Sequence, residues 1–261
     1  MQQGHATVMP ATAAQPGSAT PPFRPAISEP RESVLRLSSW PHDPTVALIT
    51  VTDHDLDIDQ DALTASVDGA IQGGARLVRT GALTHSSGLT ATALGFRVID
   101  ELLLLERPLD RQSPRRSGVR IAPLRHRHLD AAAMVDLAAF GPRWTHDAPA
   151  LAEAMSATPV AHGVRSVERG RRVTGFAISG VSGSTGYLQR LAVEPTRRRR
   201  GVARALVADA LWWMARRHAD RALVNTSITN EPAIALYVAA GFTVSDERLV
   251  VAEFDPERDR L

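Results

Sequence analysis

Arg198-Arg199-Arg200-Gly201-Val202-Ala203 stands between an apolar run, Tyr187-Leu188-Gln189-Arg190-Leu191-Ala192-Val193, and a helical pattern that opens Ala203-Arg204-Ala205-Leu206-Val207. The order is strand, small-residue basic turn, helix start. The first turn of a helix carries backbone N–H groups with no partner inside the helix, and the aligned peptide dipoles make that end electropositive. Phosphate oxygens are therefore favoured there. Gly201 and Ala203 keep bulky side chains from standing between that backbone and a phosphate. The stretch from Arg198 to Arg204 is thus a candidate pyrophosphate-binding turn. Two other readings of its arginines are a solvated charge run and a nucleic-acid patch, the latter needing more basic and aromatic neighbours.

A second block follows in Asn230-Glu231-Pro232-Ala233-Ile234-Ala235-Leu236-Tyr237-Val238-Ala239-Ala240-Gly241-Phe242, with Asn at a helix start and Gly-Phe closing it. Read alone, Asn230 is an N-cap and Tyr237 a core tyrosine on an apolar helix face. In this order and separation, the two blocks resemble the Gcn5-related N-acetyltransferase (GNAT) superfamily. Its acetyl-CoA turn has Gln or Arg, two free positions, Gly, one free position, and Gly or Ala. The resemblance covers residues 119–254 and implies an α/β fold built on a mixed sheet.

The resemblance also implies site roles. Acetyl-CoA is the implied co-substrate, with no metal. Its pantetheine arm would pair with the backbone of the fourth strand at Leu191, Ala192 and Val193, and its pyrophosphate would lie on Arg198, Arg199, Arg200, Gly201, Val202, Ala203 and Arg204. Asn230 would bond the cofactor or nearby backbone, and Tyr237 would give a proton to the CoA sulfur. A backbone N–H near Val193 would polarise the thioester carbonyl. The general base stays open among Glu194, His146, Asp147 and Glu153, Asn225 could orient a water or the substrate amine, and Trp144 and His146 are candidates for an acceptor wall.

The implied activity is acetyl transfer to a primary amine in a direct ternary complex. The acceptor is a small-molecule amine or a protein amino terminus. A non-catalytic acyl-CoA-binding sensor is the alternative, although it would not need the Tyr237 hydroxyl. The chain has no cysteine, which removes disulfides, thiolate zinc sites and a cysteine-borne acetyl intermediate. All 30 basic residues are arginine, yet the formal net charge is only +2, so global charge gives little reason to expect nucleic acid as a partner. No apolar stretch approaches the roughly 20 residues of a membrane span. The start lacks the features of a secretory signal, so a cytoplasmic location is the default expectation.

Three zones and a linker follow from the pattern. Residues 1–31, with six of the chain's 17 prolines and few large apolar residues, read as a disordered tail. Residues 32–109 read as a strand at 46–51, a helix at 60–71, a strand at 75–80, a short helix ending at Gly95-Phe96 and a strand at 102–105. Residues 110–118 have linker composition, and the resemblance implies that 119–256 form the catalytic GNAT domain. In that domain Asp130 suits the N-cap of a helix at 130–140.

The first unit repeats part of the second. A shift of 146 positions superimposes Leu77, Val78 and Thr80 on Leu223, Val224 and Thr226, and Gly95-Phe96 on Gly241-Phe242. The chemistry is not repeated. Acidic Thr52-Asp53-His54-Asp55-Leu56-Asp57 stands where the basic turn would be, and Thr84 and Ala91 stand for Asn230 and Tyr237. Residues 32–109 are therefore read as a degenerate, partial GNAT-like unit with a structural or substrate-shaping role.

Overall fold

A computed structural model describes residues 35–41, 43–51, 57–110, 118–168 and 172–259. The expected tail, most of the acidic segment at 52–57 and most of the linker lie outside the described residues. The first unit comprises β1 (Leu35–Trp40), β2 (Asp43–Val51), α1 (Gln60–Gln72), β3 (Leu77–Thr80), α2 (His85–Ala93) and β4 (Arg97–Pro108). The second comprises β5 (Ile121–Pro123), α3 (Leu129–Phe140), α4 (Ala148–Ala154), β6 (Val160–Val167), β7 (Val173–Ser182), β8 (Thr185–Val193), α5 (Val202–Arg216), β9 (Arg221–Ser227), α6 (Glu231–Ala239) and β10 (Thr243–Phe254).

Local chemistry sets several boundaries. Asp59 caps α1 by accepting from the Ala62 N–H at 3.0 Å, and Asp147 caps α4 by accepting from Ala150 at 2.9 Å. Asp130 is not the N-cap of α3. The chain enters that helix through a 3₁₀ turn at His126–His128, which places Asp130 in the first turn, where its carboxylate complements the helix dipole. The expectation also lacked β1 and made β4 too short.

The ten strands form one sheet in the order β1-β2-β3-β10-β4-β9-β8-β7-β6-β5. The pairs β2–β3 and β8–β9 are parallel and the other neighbours antiparallel. Because β4 is antiparallel to both β9 and β10, those two strands run the same way. Right-handed crossovers then put α1, α2, α5 and α6 on one face. The alternation of side chains along β7 shows the division of the core. Ala177 and Val181 pack with α5 and α6 residues, whereas Phe176 and Ile178 pack with Leu129, Val135 and Leu151 of α3 and α4 on the opposite face.

The repeat is visible in the elements. α2 and α6 begin and end 146 residues apart, as do β4 and β10. Gly95 and Gly241 close the two helices with φ of 87° and 84°, a conformation that favours glycine, and each is followed by a buried Phe. The last strand of each unit is exchanged: β4 lies between β9 and β10, and β10 lies between β3 and β4. The pairs Arg248↔Leu103 and Leu249↔Leu102 are each other's images under the 146-residue shift, so a local pseudo-two-fold axis passes between them.

This exchange makes the first unit part of the second unit's core. Leu105 of β4 is fully buried in the cluster that also contains Leu206, Val224 and Tyr237. We expect Leu105→Ala to lower the stability of the whole chain by about 3 kcal/mol, in one cooperative urea transition. A fragment of residues 119–261, lacking the strand between β9 and β10, is expected to show no such transition.

Candidate functional site

The parallel strands β8 and β9 pair only at Thr185↔Arg221, Gly186↔Ala222 and Tyr187↔Leu223. Beyond Tyr187 they diverge and leave a gap in the sheet. The register of β8 against β7 shifts between Ile178 and Ser179, whose partners are Arg190 and Leu188, so Gln189 is the extra residue of a bulge at the mouth of that gap. The Glu194 N–H donates to the Thr174 carbonyl on β7 at 3.0 Å. Since consecutive backbone groups alternate sides, the N–H and C=O of Val193 and Leu191 face the gap. Ala192 turns its backbone toward Phe176 of β7 and its side chain into the core under α3 and α4.

The corresponding strands of the first unit differ. β2 and β3 remain paired from Val46↔Leu77 to Ile49↔Thr80, and the Gly81 N–H continues the contact to Ile49 at 2.7 Å. No gap opens between them.

The gap leads to the basic turn. Gly201 has φ of 77°, and a Cβ placed on it would meet nothing within 4 Å, so glycine answers here to backbone conformation and faces open space. Arg199 also has positive φ, at 62°. The Arg197 and Arg198 amides are satisfied by Glu194 and Pro195 carbonyls, and the first helical bond of α5 runs from Ala205 to Gly201. Between them, the amides of Arg199, Arg200, Gly201, Val202, Ala203 and Arg204 have no partner among the described residues. This run of free donors at a helix start has the chemistry to cradle an anion. The Arg198 guanidinium reaches away to the Ala139 carbonyl at the end of α3, 3.2 Å distant.

Tyr237 on α6 is buried and meets Phe242 edge-on at 5.7 Å between ring centroids. Burial pushes its phenol well above the ordinary tyrosine range, and the Arg190 guanidinium opposes the shift. Arg190 projects to the α3 face and Tyr237 belongs to the α5 and α6 core, so this charge acts across the opened sheet. Asn230 occupies the N-cap position without capping. Its side-chain amide instead donates to Thr226 Oγ1 at 3.2 Å, tying α6 to the end of β9.

Arg190 organises a cluster that the sequence reading did not single out. Its Nε and Nη2 donate to the two oxygens of fully buried Asp136 on α3 at 2.8 and 2.6 Å, and Nη2 also donates to the Trp144 carbonyl at 2.7 Å. Phe140 lies under the guanidinium at 3.9 Å. Asp136 further accepts from Thr145 Oγ1 at 3.2 Å and from the His146 N–H at 2.7 Å. The signals were present: an arginine inside an apolar strand and an aspartate inside an apolar helix, charges whose burial requires a partner.

The four candidate bases and Asn225 separate by their partners. Glu194 pairs with Arg172, Glu153 with Arg36, and Asp147 is spent on its cap. Asn225 is exposed on β9. His146 lies beside Arg190 and Asp136 with a buried Nδ1 that has no hydrogen-bond partner. Burial first, then the Arg190 charge, push its pKa down to about 4. The imidazole is therefore neutral at ordinary pH. No group of three or more His, Asp or Glu that could hold a metal occurs among the described residues, and no helix there is long and apolar enough to cross a membrane.

Comparison with known proteins is consistent with this geometry. Residues 131–242 match the acetyltransferase (GNAT) family model. N-alpha-acetyltransferase 30 of Saccharomyces cerevisiae is 42% identical over 57 residues, which are 22% of this chain and 32% of that protein. The chain thus spans about a third of that relative's length. Among solved structures, a GCN5-related N-acetyltransferase from Sphaerobacter thermophilus aligns with a TM-score of 0.58 at 16% identity, covering 85% of this chain and 76% of its own. A tandem GNAT protein from the clavulanic acid biosynthesis pathway aligns with a TM-score of 0.59 at 12% identity, covering 85% and 78%. At such identities the likeness is one of fold.

Two outcomes test the buried cluster. Asp136→Asn leaves the Arg190 charge without its counter-ion and is expected to cost about 3 kcal/mol in denaturant unfolding. His146, held neutral in the folded chain, takes up a proton from about pH 6.5 downward only in the unfolded chain. Stability should therefore fall as pH drops from about 6.5 to about 4, by at most roughly 3 kcal/mol, and His146→Gln should flatten that part of the profile.

Proposed function

Residues 131–242 belong to the acetyltransferase (GNAT) family, and from that premise we propose that the chain moves an acetyl group from acetyl-CoA to a primary amine, with a protein amino terminus as acceptor. The observation that carries the reading is the gap between β8 and β9, edged by the free backbone of Leu191 and Val193 and ending at the unpartnered amides from Arg199 to Arg204. A pantetheine arm can add to the β8 edge as an extra strand would, while a pyrophosphate takes the free amides of the turn. The closed pairing of β2 and β3 supports one such site per chain. The choice of an amino terminus rests on the similarity to N-alpha-acetyltransferase 30.

The chemistry proceeds without a covalent enzyme intermediate. The amine nitrogen attacks the thioester carbonyl carbon, forming the C–N bond as the C–S bond breaks. The Val193 N–H, directed into the gap, stabilises the charge gathering on the carbonyl oxygen. Tyr237, kept protonated by its burial, gives its proton to the departing sulfur. The proton lost by the amine goes to a base on the opposite face. Neutral His146, whose buried Nδ1 has no hydrogen-bond partner, is the one of the four candidate bases not already committed to an ion pair or cap.

Calorimetric titration with acetyl-CoA is expected to give one site per chain, abolished by Gly201→Glu, which puts a carboxylate and strained backbone into the cradle. Tyr237→Phe should bind acetyl-CoA within twofold of the parent yet release CoA about 100-fold or more slowly with peptides bearing a free amino terminus. Binding of acetyl-CoA with no CoA release for any amine would favour a sensor instead.

A further inference from the structure

The first unit reaches the side of the sheet from which an acceptor must come. The anion cradle at α5 and Tyr237 on α6 lie on one face of the sheet. An amine attacking a thioester held in the gap therefore approaches from the other face, where Arg190, Asp136 and the segment between α3 and α4 stand. That segment is gripped from two directions. From β8, Arg190 holds the Trp144 carbonyl. From the tip of the β1–β2 hairpin, the Trp40 Nε1–H donates to the Arg143 carbonyl at 3.2 Å, and the indoles of Trp40 and Trp144 meet edge to face at 5.8 Å and 67°. Arg36 of β1 pairs with Glu153 of α4 alongside.

Trp40 does not belong to the core of its own unit, which is built of Leu63, Ala91, Phe96, Phe254 and their neighbours. Its ring is nevertheless fixed: the Arg79 guanidinium sits over it at 4.8 Å, and Arg79 is itself paired with Glu253 at 2.6 Å. Both indoles are only half-buried, and with Arg79 over Trp40 and the Arg143 guanidinium over Trp144 at 5.4 Å, the ring surface left for an apolar group is what these cations do not cover. Such surface suits the burial of an apolar side chain next to a polar reacting group.

We propose that Trp40, supplied by the first unit, is a specificity-determining residue of the acceptor site, forming with Trp144 an aromatic wall that selects acceptors whose amine is carried by an apolar residue. The inference rests on the acetyltransferase reading above. It gives the unit without a gap a direct part in substrate choice.

The test uses the full chain and two tetrapeptides identical except for Leu or Ser at the first position, with CoA release followed against peptide concentration. The parent is expected to favour the Leu peptide about tenfold or more in kcat/KM. Trp40→Ala should raise KM for the Leu peptide about tenfold, leaving kcat and the acetyl-CoA Kd within twofold, and Trp40→Phe should keep most of the preference. An unaltered Leu-to-Ser ratio in Trp40→Ala, no preference in the parent, or a parallel loss of kcat and acetyl-CoA affinity would each overturn the inference alone. Acetyl-CoA binding without transfer to either peptide by the parent would overturn the acceptor reading and this inference together.

Discussion

A sheet can be opened only where something else will satisfy its backbone. β8 and β9 stop pairing after three residue pairs, and from that point Leu191 and Val193 present hydrogen-bonding groups to a space instead of to a neighbouring strand. Unpaired backbone in a protein interior is costly, so such an opening persists only with support on both sides and a partner within reach. The support is visible. The Gln189 bulge bends β8 away, Arg190 ties it to α3, and on the far side β4 pairs with β9 along its whole length from Arg221 to Ser227. In the proposed reaction, the anion cradle, the phenol of Tyr237 and the approach for an amine all take their positions from this separation.

The two units illustrate the same constraint with opposite outcomes. Their closing strands and helices are spaced alike, yet β2 and β3 hold their ladder intact, and Ala91 stands where Tyr237 stands in the other half. A paired ladder leaves no edge for a substrate arm. The first unit thereby contributes rigidity: β4 completes the second unit's sheet, and the β1–β2 hairpin braces the segment from Gly141 to Asp147. In the proposed reading, two similar halves make one site, with the first half part of its wall.

Much of this was legible in the residues. Strands and helices of the second unit announced themselves through periodicity, and the 146-residue shift was exposed by Gly-Phe, a pair of residues whose conformation and burial are both restrictive. Long-range partnership was not legible. Nothing local to Arg97–Pro108 says that it lies between β9 and β10, because strand order is decided by packing across more than a hundred residues. Arg190 and Asp136 were hidden for a related reason: each is an isolated charge in an apolar element, and only the fold reveals that they face one another. Asn230 looked like a helix cap by type and position, but its side chain makes no cap bond and its Nδ2–H donates instead to the Thr226 hydroxyl on the preceding strand.

The exchange of closing strands also has a temporal side. During synthesis β4 leaves the ribosome more than a hundred residues before the strands that flank it, β9 and β10, exist. At about 5–20 residues per second, that is a delay on the order of ten seconds. Throughout it, the apolar run Leu102-Leu103-Leu104-Leu105 has no place to pair. The nascent first unit must therefore wait with β4 lacking both of the neighbours it has in the finished sheet.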